Sequence, residues 1–134
     1  MALLLSLPML AVVKPGVEVL RDRDFSVLKG KRVGLITNPT GIDRSYKSTI
    51  DIFKEAKDVK LVALFSPEHG VRGDIHAGDK VDTYIDPKTG VTVYSIYGKT
   101  QRPTKEMLDN VDAIVYDIQD IGSSSLCIYL FIEH

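Results

Sequence analysis

Three short apolar runs set the rhythm of this chain, and each breaks off into a polar cluster. Residues 32–37 (RVGLIT), 60–65 (KLVALF) and 112–118 (DAIVYDI) are rich in Val, Ile and Leu. Such runs suit strands covered on both faces of a parallel sheet. Between the first two, STIDIFKEA places Ile50, Phe53 and Ala56 at helical spacing behind Ser48 and Asp51, a pair resembling a capping box. The segment therefore predicts a β-α-β unit. Further on, KVDTYIDPKTGVTVYSIYG alternates like paired strands around residues 86–90, where Pro87 and Gly90 suit a tight turn. Thr104 is placed to cap a short helix in PTKEMLDN before the third apolar run. The pattern as a whole predicts an α/β fold: a Rossmann-like parallel sheet with helices on both faces and an inserted β-hairpin. Residues 14–122 form one domain in this reading.

The polar clusters are NPTG (38–41), PEHG (67–70) and DIQD (117–120). Carboxyl ends of parallel strands share one rim of the sheet, and ligands of open α/β folds bind there. The three clusters are expected to meet at that rim, with the core holding the backbone rigid beneath them. Each also has a plainer reading. Asn-Pro-Thr-Gly is good turn chemistry, Glu68 and His69 suit a solvated loop, and Asp117 and Asp120 suit caps of the following segment. Arg72, Lys99 and Arg102 are donors for substrate oxygens or partners for these acids. Tyr94 and Tyr97 suit either stacking on a sugar ring or packing.

Composition narrows the function classes. Seventeen basic and eighteen acidic residues give a formal net charge of -1. With no long run of either sign, neither nucleic acid nor an anionic membrane is indicated. A single cysteine, Cys127, excludes an intrachain disulfide and a multi-cysteine zinc pattern. His69, Asp74, His76 and Asp79 are of metal-ligating type, but their spacing matches no established motif, and no metal is expected. No cofactor is expected either, because neither G-x-G-x-x-G nor a Walker lysine loop follows the first strand. Residues 1–13 are almost wholly apolar. They are too short for a stable membrane span and read as an export-signal remnant or a plain apolar segment.

KGKRVGLITNPTGIDR, LVALFSPEHGVRGD, AGDKVDTYIDPKTGVTVYSIYGKTQRPT and VDAIVYDIQDIG together resemble the DUF1343 family of bacterial exo-β-N-acetylmuramidases. The resemblance spans about residues 16–122 and rests on several separated motifs. It implies a Rossmann-like N-terminal domain, a second domain beyond it, and a cleft between the two that releases N-acetylmuramic acid from non-reducing ends of peptidoglycan fragments. Peptidoglycan-derived muramic-acid saccharides are then the expected partners. A full-length form is expected to be exported to periplasm or exterior, with the cytoplasm as the alternative.

The family's P-E-H-G glutamate falls on Glu68, the expected catalytic acid. Asn38, His69, Arg72, Lys99, Gln119 and Asp120 are expected to line the sugar site; Asp117 and Asp120 are the candidates for a second carboxylate, with a group of the missing domain or the substrate's own acetamido group as the alternatives. Residues 123–134 (SSSLCIYLFIEH) depart from the pattern and read as a divergent tail with the second domain missing. A chain of this length is expected to have little or no muramidase activity. Two other readings stand beside this one: a non-catalytic sugar- or partner-binding module on the same half-fold, and a metal-dependent hydrolase using His69 and His76.

Overall fold

The computed structural model describes residues 13–67, 70–73, 83–98 and 101–119. Its elements run α1 (Gly16–Asp22), a 3-10 turn (Ser26–Leu28), β1 (Arg32–Thr37), α2 (Thr49–Glu55), β2 (Lys60–Ser66), β3 (Tyr84–Ile85), β4 (Thr92–Ser95), α3 (Lys105–Leu108) and β5 (Ala113–Asp117). The five strands form one sheet in the order β3-β4-β2-β1-β5. β1 pairs in parallel with β2 and β5, β2 pairs in parallel with β4, and only β3 runs antiparallel to its neighbour β4.

The strand order gives β1 its place in the fold. The chain leaves β1 through α2 to reach β2 on one side, and returns much later as β5 on the other. That reversal is the topological switch of doubly wound sheets. Val33, Leu35, Leu64 and Val93 point to one face, where they pack with Ile50 and Phe53 of α2 and Val17 of α1. Ile36, Ala63 and Phe65 point to the other face, against Met107 and Leu108 of α3. Helices thus cover both faces of the sheet, as the unbroken apolar runs require.

Local chemistry explains the ends. Ser48 is the N-cap of α2, and its hydroxyl accepts from the Ile50 amide at 3.2 Å. The predicted capping box is only half made, because the Asp51 carboxylate is engaged instead by Arg72 and Lys88. Thr104 is the N-cap of α3, although its side chain makes no capping bond to the backbone.

The inserted hairpin is present, and β4 also pairs with β2, which makes it part of the main sheet. One expectation needs adjustment. β5 is not covered on both faces: Ile114 and Tyr116 are exposed, while Ala113 and Val115 pack on the α2 side. The cause is its position at the sheet edge, beyond the reach of α3.

At the starting end of the strands, Arg32 and Asp112 form a fork between β1 and β5, with Arg32 Nη2 2.7 Å and Nε 3.1 Å from the carboxylate oxygens. The Arg32 amide donates to the same carboxylate, and the Asp112 amide donates back to the Arg32 carbonyl.

Candidate functional site at the carboxyl rim

The opposite end of the sheet collects the polar clusters. Thr37, the last residue of β1, is buried and donates its hydroxyl to the Asp117 carbonyl at 2.8 Å. The Asp117 carboxylate accepts from Thr49 Oγ1 at the start of α2. Asn38 folds its side-chain oxygen back onto Thr40, accepting from the Thr40 amide at 2.9 Å and its hydroxyl at 2.6 Å. Thr40 Oγ1 in turn accepts from the Gln119 amide at 2.9 Å. The loops after β1 and β5 are therefore stitched together across the switch point. Gly41 is needed in this seam: a Cβ there would lie 2.2 Å from Thr37 Oγ1 and 2.8 Å from the Asp117 carbonyl.

The loop after β2 joins the same rim. Ser66 is buried, and its carbonyl accepts from the Ile96 amide at 2.9 Å. Past the next residues, Val71 enters the core and Gly73, at φ +74°, passes so close to Pro39 that a Cβ would lie 2.9 Å from its Cγ. Between them Arg72 forks onto Asp86, with Nε 2.6 Å from Oδ1 and Nη2 3.0 Å from Oδ2, and reaches Asp51 Oδ1 at 3.0 Å. Lys88 completes the cluster on Asp51.

The charges in this cluster are mutually dependent. The Arg72 guanidinium, aided by Thr89, holds the Asp86 carboxyl below the ordinary aspartate range despite burial. Burial would raise the Asp51 carboxyl, but bonds from Lys88 and Arg72 outweigh it and lower it. The Asp86 bonds push the Arg72 guanidinium further up than usual. Asp51, Asp86 and Arg72 therefore stay charged at neutral pH.

Of the residues expected to form a site, Asn38, Arg72, Asp117 and Gln119 are described, whereas Glu68, His69, Lys99 and Asp120 lie outside the described residues. Asn38, Asp117 and Gln119 come together in the seam. Arg72 sits in the neighbouring loop with its guanidinium turned to two carboxylates. Tyr94 stacks on Phe65, with ring centroids 5.7 Å apart, and so packs in the core. Tyr97 is exposed. The metal-type residues His69, Asp74, His76 and Asp79 lie outside the described residues, among which no group of three or more metal-ligating side chains occurs.

Several residues that organise the rim carried no functional signal in the sequence. Thr40 and Thr49 look like ordinary helix-entry and turn residues, yet they link β1, β5 and α2. Asp86 reads only as the first residue of a turn. Its four-residue spacing to Gly90 and the Thr89 three places on signal the local bonds it makes, but not the arginine fourteen residues upstream.

Chemically, the rim offers a carboxylate on β5, an asparagine amide, and two rigid anchors flanking the Glu68–His69 dipeptide. Comparison with known proteins adds to this. The family profile described as "Exo-beta-N-acetylmuramidase NamZ, N-terminal" matches residues 33–133. That match runs past residue 122 and includes most of the tail that the sequence pattern separates. The peptidoglycan beta-N-acetylmuramidase NamZ of Bacillus subtilis (strain 168) is 60% identical over 111 residues, which are 83% of this chain and 27% of that protein. A DUF1343 family protein from Bacteroides fragilis NCTC 9343 of known crystal structure superposes with a TM-score of 0.76 at 54% identity, over 88% of this chain and 30% of the other. A second one from the same organism gives 0.62 at 36% identity, over 80% and 26%. The chain thus spans between a quarter and a third of the length of these relatives.

Proposed function

The chain belongs to the NamZ N-terminal family, and from that premise we propose that it supplies the Rossmann-like half of a glycoside hydrolase releasing N-acetylmuramic acid from non-reducing ends of peptidoglycan fragments. The observation that carries this reading is the meeting of the three strand-end loops. Thr40 ties the loop after β1 to the segment after β5, and Gly73 packs the loop after β2 against Pro39. A sugar site in an open α/β fold belongs at such a switch point.

Glu68 is the general acid in this proposal. Glycoside hydrolysis needs a proton delivered to the leaving oxygen, and ordinarily a second carboxylate acting as base or nucleophile. Asp117 is the candidate for that second group; its bond to Thr49 fixes its orientation, and either it or a carboxylate from the rest of the protein fills the role. Asn38, His69, Lys99, Gln119 and Asp120 make up the proposed sugar-facing set; Arg72, expected among them, turns its guanidinium to Asp86 and Asp51 instead. The substrate class, muramic-acid saccharides, follows from what the Bacillus subtilis relative is named for.

The decisive experiment joins this chain to the remaining length of the Bacillus subtilis relative and compares Glu68→Gln with the parent on a muramic-acid disaccharide. The exchange keeps shape and a hydrogen-bonding oxygen but removes the transferable proton. Turnover should fall about 10²- to 10⁴-fold with little change in binding. Retained turnover would reject the assignment.

One observation favours a second reading, a non-catalytic sugar- or partner-binding module: the described acid at the rim, Asp117, is already bound by a protein donor, Thr49 Oγ1. Binding of the disaccharide without turnover by the parent fusion would establish it.

A further inference from the structure

Three features of the loop after β2 bear on how a catalytic group at Glu68 would be aimed. Before it, Pro67 follows directly on Ser66, which is buried and held by the Ile96 amide. After it, Val71 is buried in the core and Gly70 and Gly73 both take left-handed backbone, at φ +78° and +74°. Yet among the described residues no backbone hydrogen bond joins residues 70–73 to another segment. The polar attachment of this stretch is the Arg72 side chain, which grips Asp86 in the turn between β3 and β4 and Asp51 on α2.

We infer that Arg72 is a positioning residue: its bidentate grip on Asp86, extended to Asp51, fixes the backbone that leaves the proposed acid, and so sets where that acid delivers its proton. This inference rests on the proposed role of Glu68. Several details of the site support it over direct substrate contact. A fork onto a carboxylate is the most directional ion pair available to a side chain. Asp86 is 1% exposed and is itself fixed by the Thr89 amide at 2.9 Å and the Thr89 hydroxyl at 2.5 Å. The arginine is thus attached to a rigid turn, and both of its engaged nitrogens face carboxylates. A displaced general acid loses rate steeply, about a hundredfold for a misplacement of the order of 1 Å.

The test uses the same fusion protein with Arg72→Met, Arg72→Lys, Asp86→Asn and the double variant Arg72→Met/Asp86→Asn. Two substrates are compared, one with a sugar leaving group and one with an acidic phenol that departs without protonation. Positioning predicts that Arg72→Met lowers kcat on the sugar substrate about 10- to 100-fold. KM should stay within about threefold, and the loss on the phenol substrate should be much smaller. Asp86→Asn should reproduce the pattern, and the double variant should lose no more than the worse single one, because both break one clamp. Arg72→Lys keeps the charge without the fork and should fall between; it also serves should Arg72→Met not fold.

A rise in KM with kcat unchanged would make Arg72 a substrate contact and overturn the inference. Equal losses on both substrates, or additive losses in the double variant, would overturn it too. Glu68→Gln, run in parallel, separates the two ideas. If it leaves turnover intact, the proposed acid is wrong; if it abolishes turnover while the Arg72 and Asp86 variants do nothing, only the positioning role fails.

Discussion

Two regions around the sheet hold the same kind of ion pair in different surroundings. At the starts of β1 and β5 Arg32 forks onto Asp112, and the side chains are 43% and 39% exposed. In the loop after β2 Arg72 forks onto Asp86, which is nearly inaccessible in the turn that leads into β4, with Asp51 as a third member. The fork geometry is almost shared, so what separates the two is solvent and what else holds the joined segments. Arg32 opens β1 and Asp112 immediately precedes β5, two strands already paired from Val33–Ala113 to Thr37–Asp117, so their bond repeats what the backbone does. Arg72 and Asp86 join a loop to a turn that no ladder among the described residues connects. Water screens the first pair and largely misses the second, where losing one partner leaves a poorly solvated charge behind.

The largest effect should come from breaking the enclosed pair. Asp86→Ala removes the main acceptor for Arg72 and the acceptor for the Thr89 amide and hydroxyl, leaving only Asp51 among the described residues for the guanidinium. A loss of about 3 kcal/mol is expected, the scale for stranding one member of a buried pair. Urea unfolding with an unchanged slope would measure it. A loss below about 1 kcal/mol, the range of exposed pairs, would erase the contrast between the two pairs.

Next comes the seam between β1 and β5. Gly41→Ala pushes a methyl group into Thr37 Oγ1 and the Asp117 carbonyl, both part of the backbone seam or tied to it. The expected cost is about 1–3 kcal/mol, typical of overpacking. Gly30, also a glycine but with no atom within 4 Å of a built Cβ, would show no such steric cost, although its φ of +73° carries a backbone penalty of its own. Thr49→Val should follow at about 1 kcal/mol, because it keeps the shape but removes the donor to Asp117. Wild-type stability in Thr49→Val would mean that water replaces the bond freely and that Asp117 is not held.

How much of this was legible beforehand depended on how local each feature is. β1 spans the very residues that the apolar run marks, and β2 is longer by one. Ser48 caps α2 as its spacing suggests. These follow from side-chain periodicity and one-turn chemistry. The parallel pairing of β4 with β2 was not legible, because a hairpin pattern specifies its own partner strand and says nothing of the other edge. Nor was the half-exposed face of β5, since an apolar run looks alike at a sheet centre and at its edge. At the rim, the clustering of Asn38, Asp117 and Gln119 followed from parallel topology alone. The partner of Arg72 did not, because a pairing across fourteen residues depends on the register of a sheet that must form first.

The smallest effect belongs to the exposed fork, and acid should reveal it. Hydrogen bonds from the Arg32 side chain, then from its amide, hold the Asp112 carboxyl at about 2, against an ordinary value of 3.8. Because the folded value lies below the unfolded one, the stabilisation is complete above about pH 4 and is lost as pH falls through about 2. In that window the unfolded chain takes up the proton first, so stability must drop as the solution is acidified. Asp112→Asn removes this titration, and its stability should fall less steeply between about pH 4 and 2 than that of the parent. The remaining slope comes from Asp86, Asp51 and the other acids whose carboxyls are also lowered. At neutral pH the gap between parent and Asp112→Asn should shrink in about 1 M salt, where the Debye length is about 3 Å. The gap between parent and Asp86→Ala should persist there. Parallel slopes for parent and Asp112→Asn in acid would show that the fork contributes nothing beyond the strand pairing it accompanies, and equal salt sensitivity of the two gaps would show that solvent does not distinguish the two pairs.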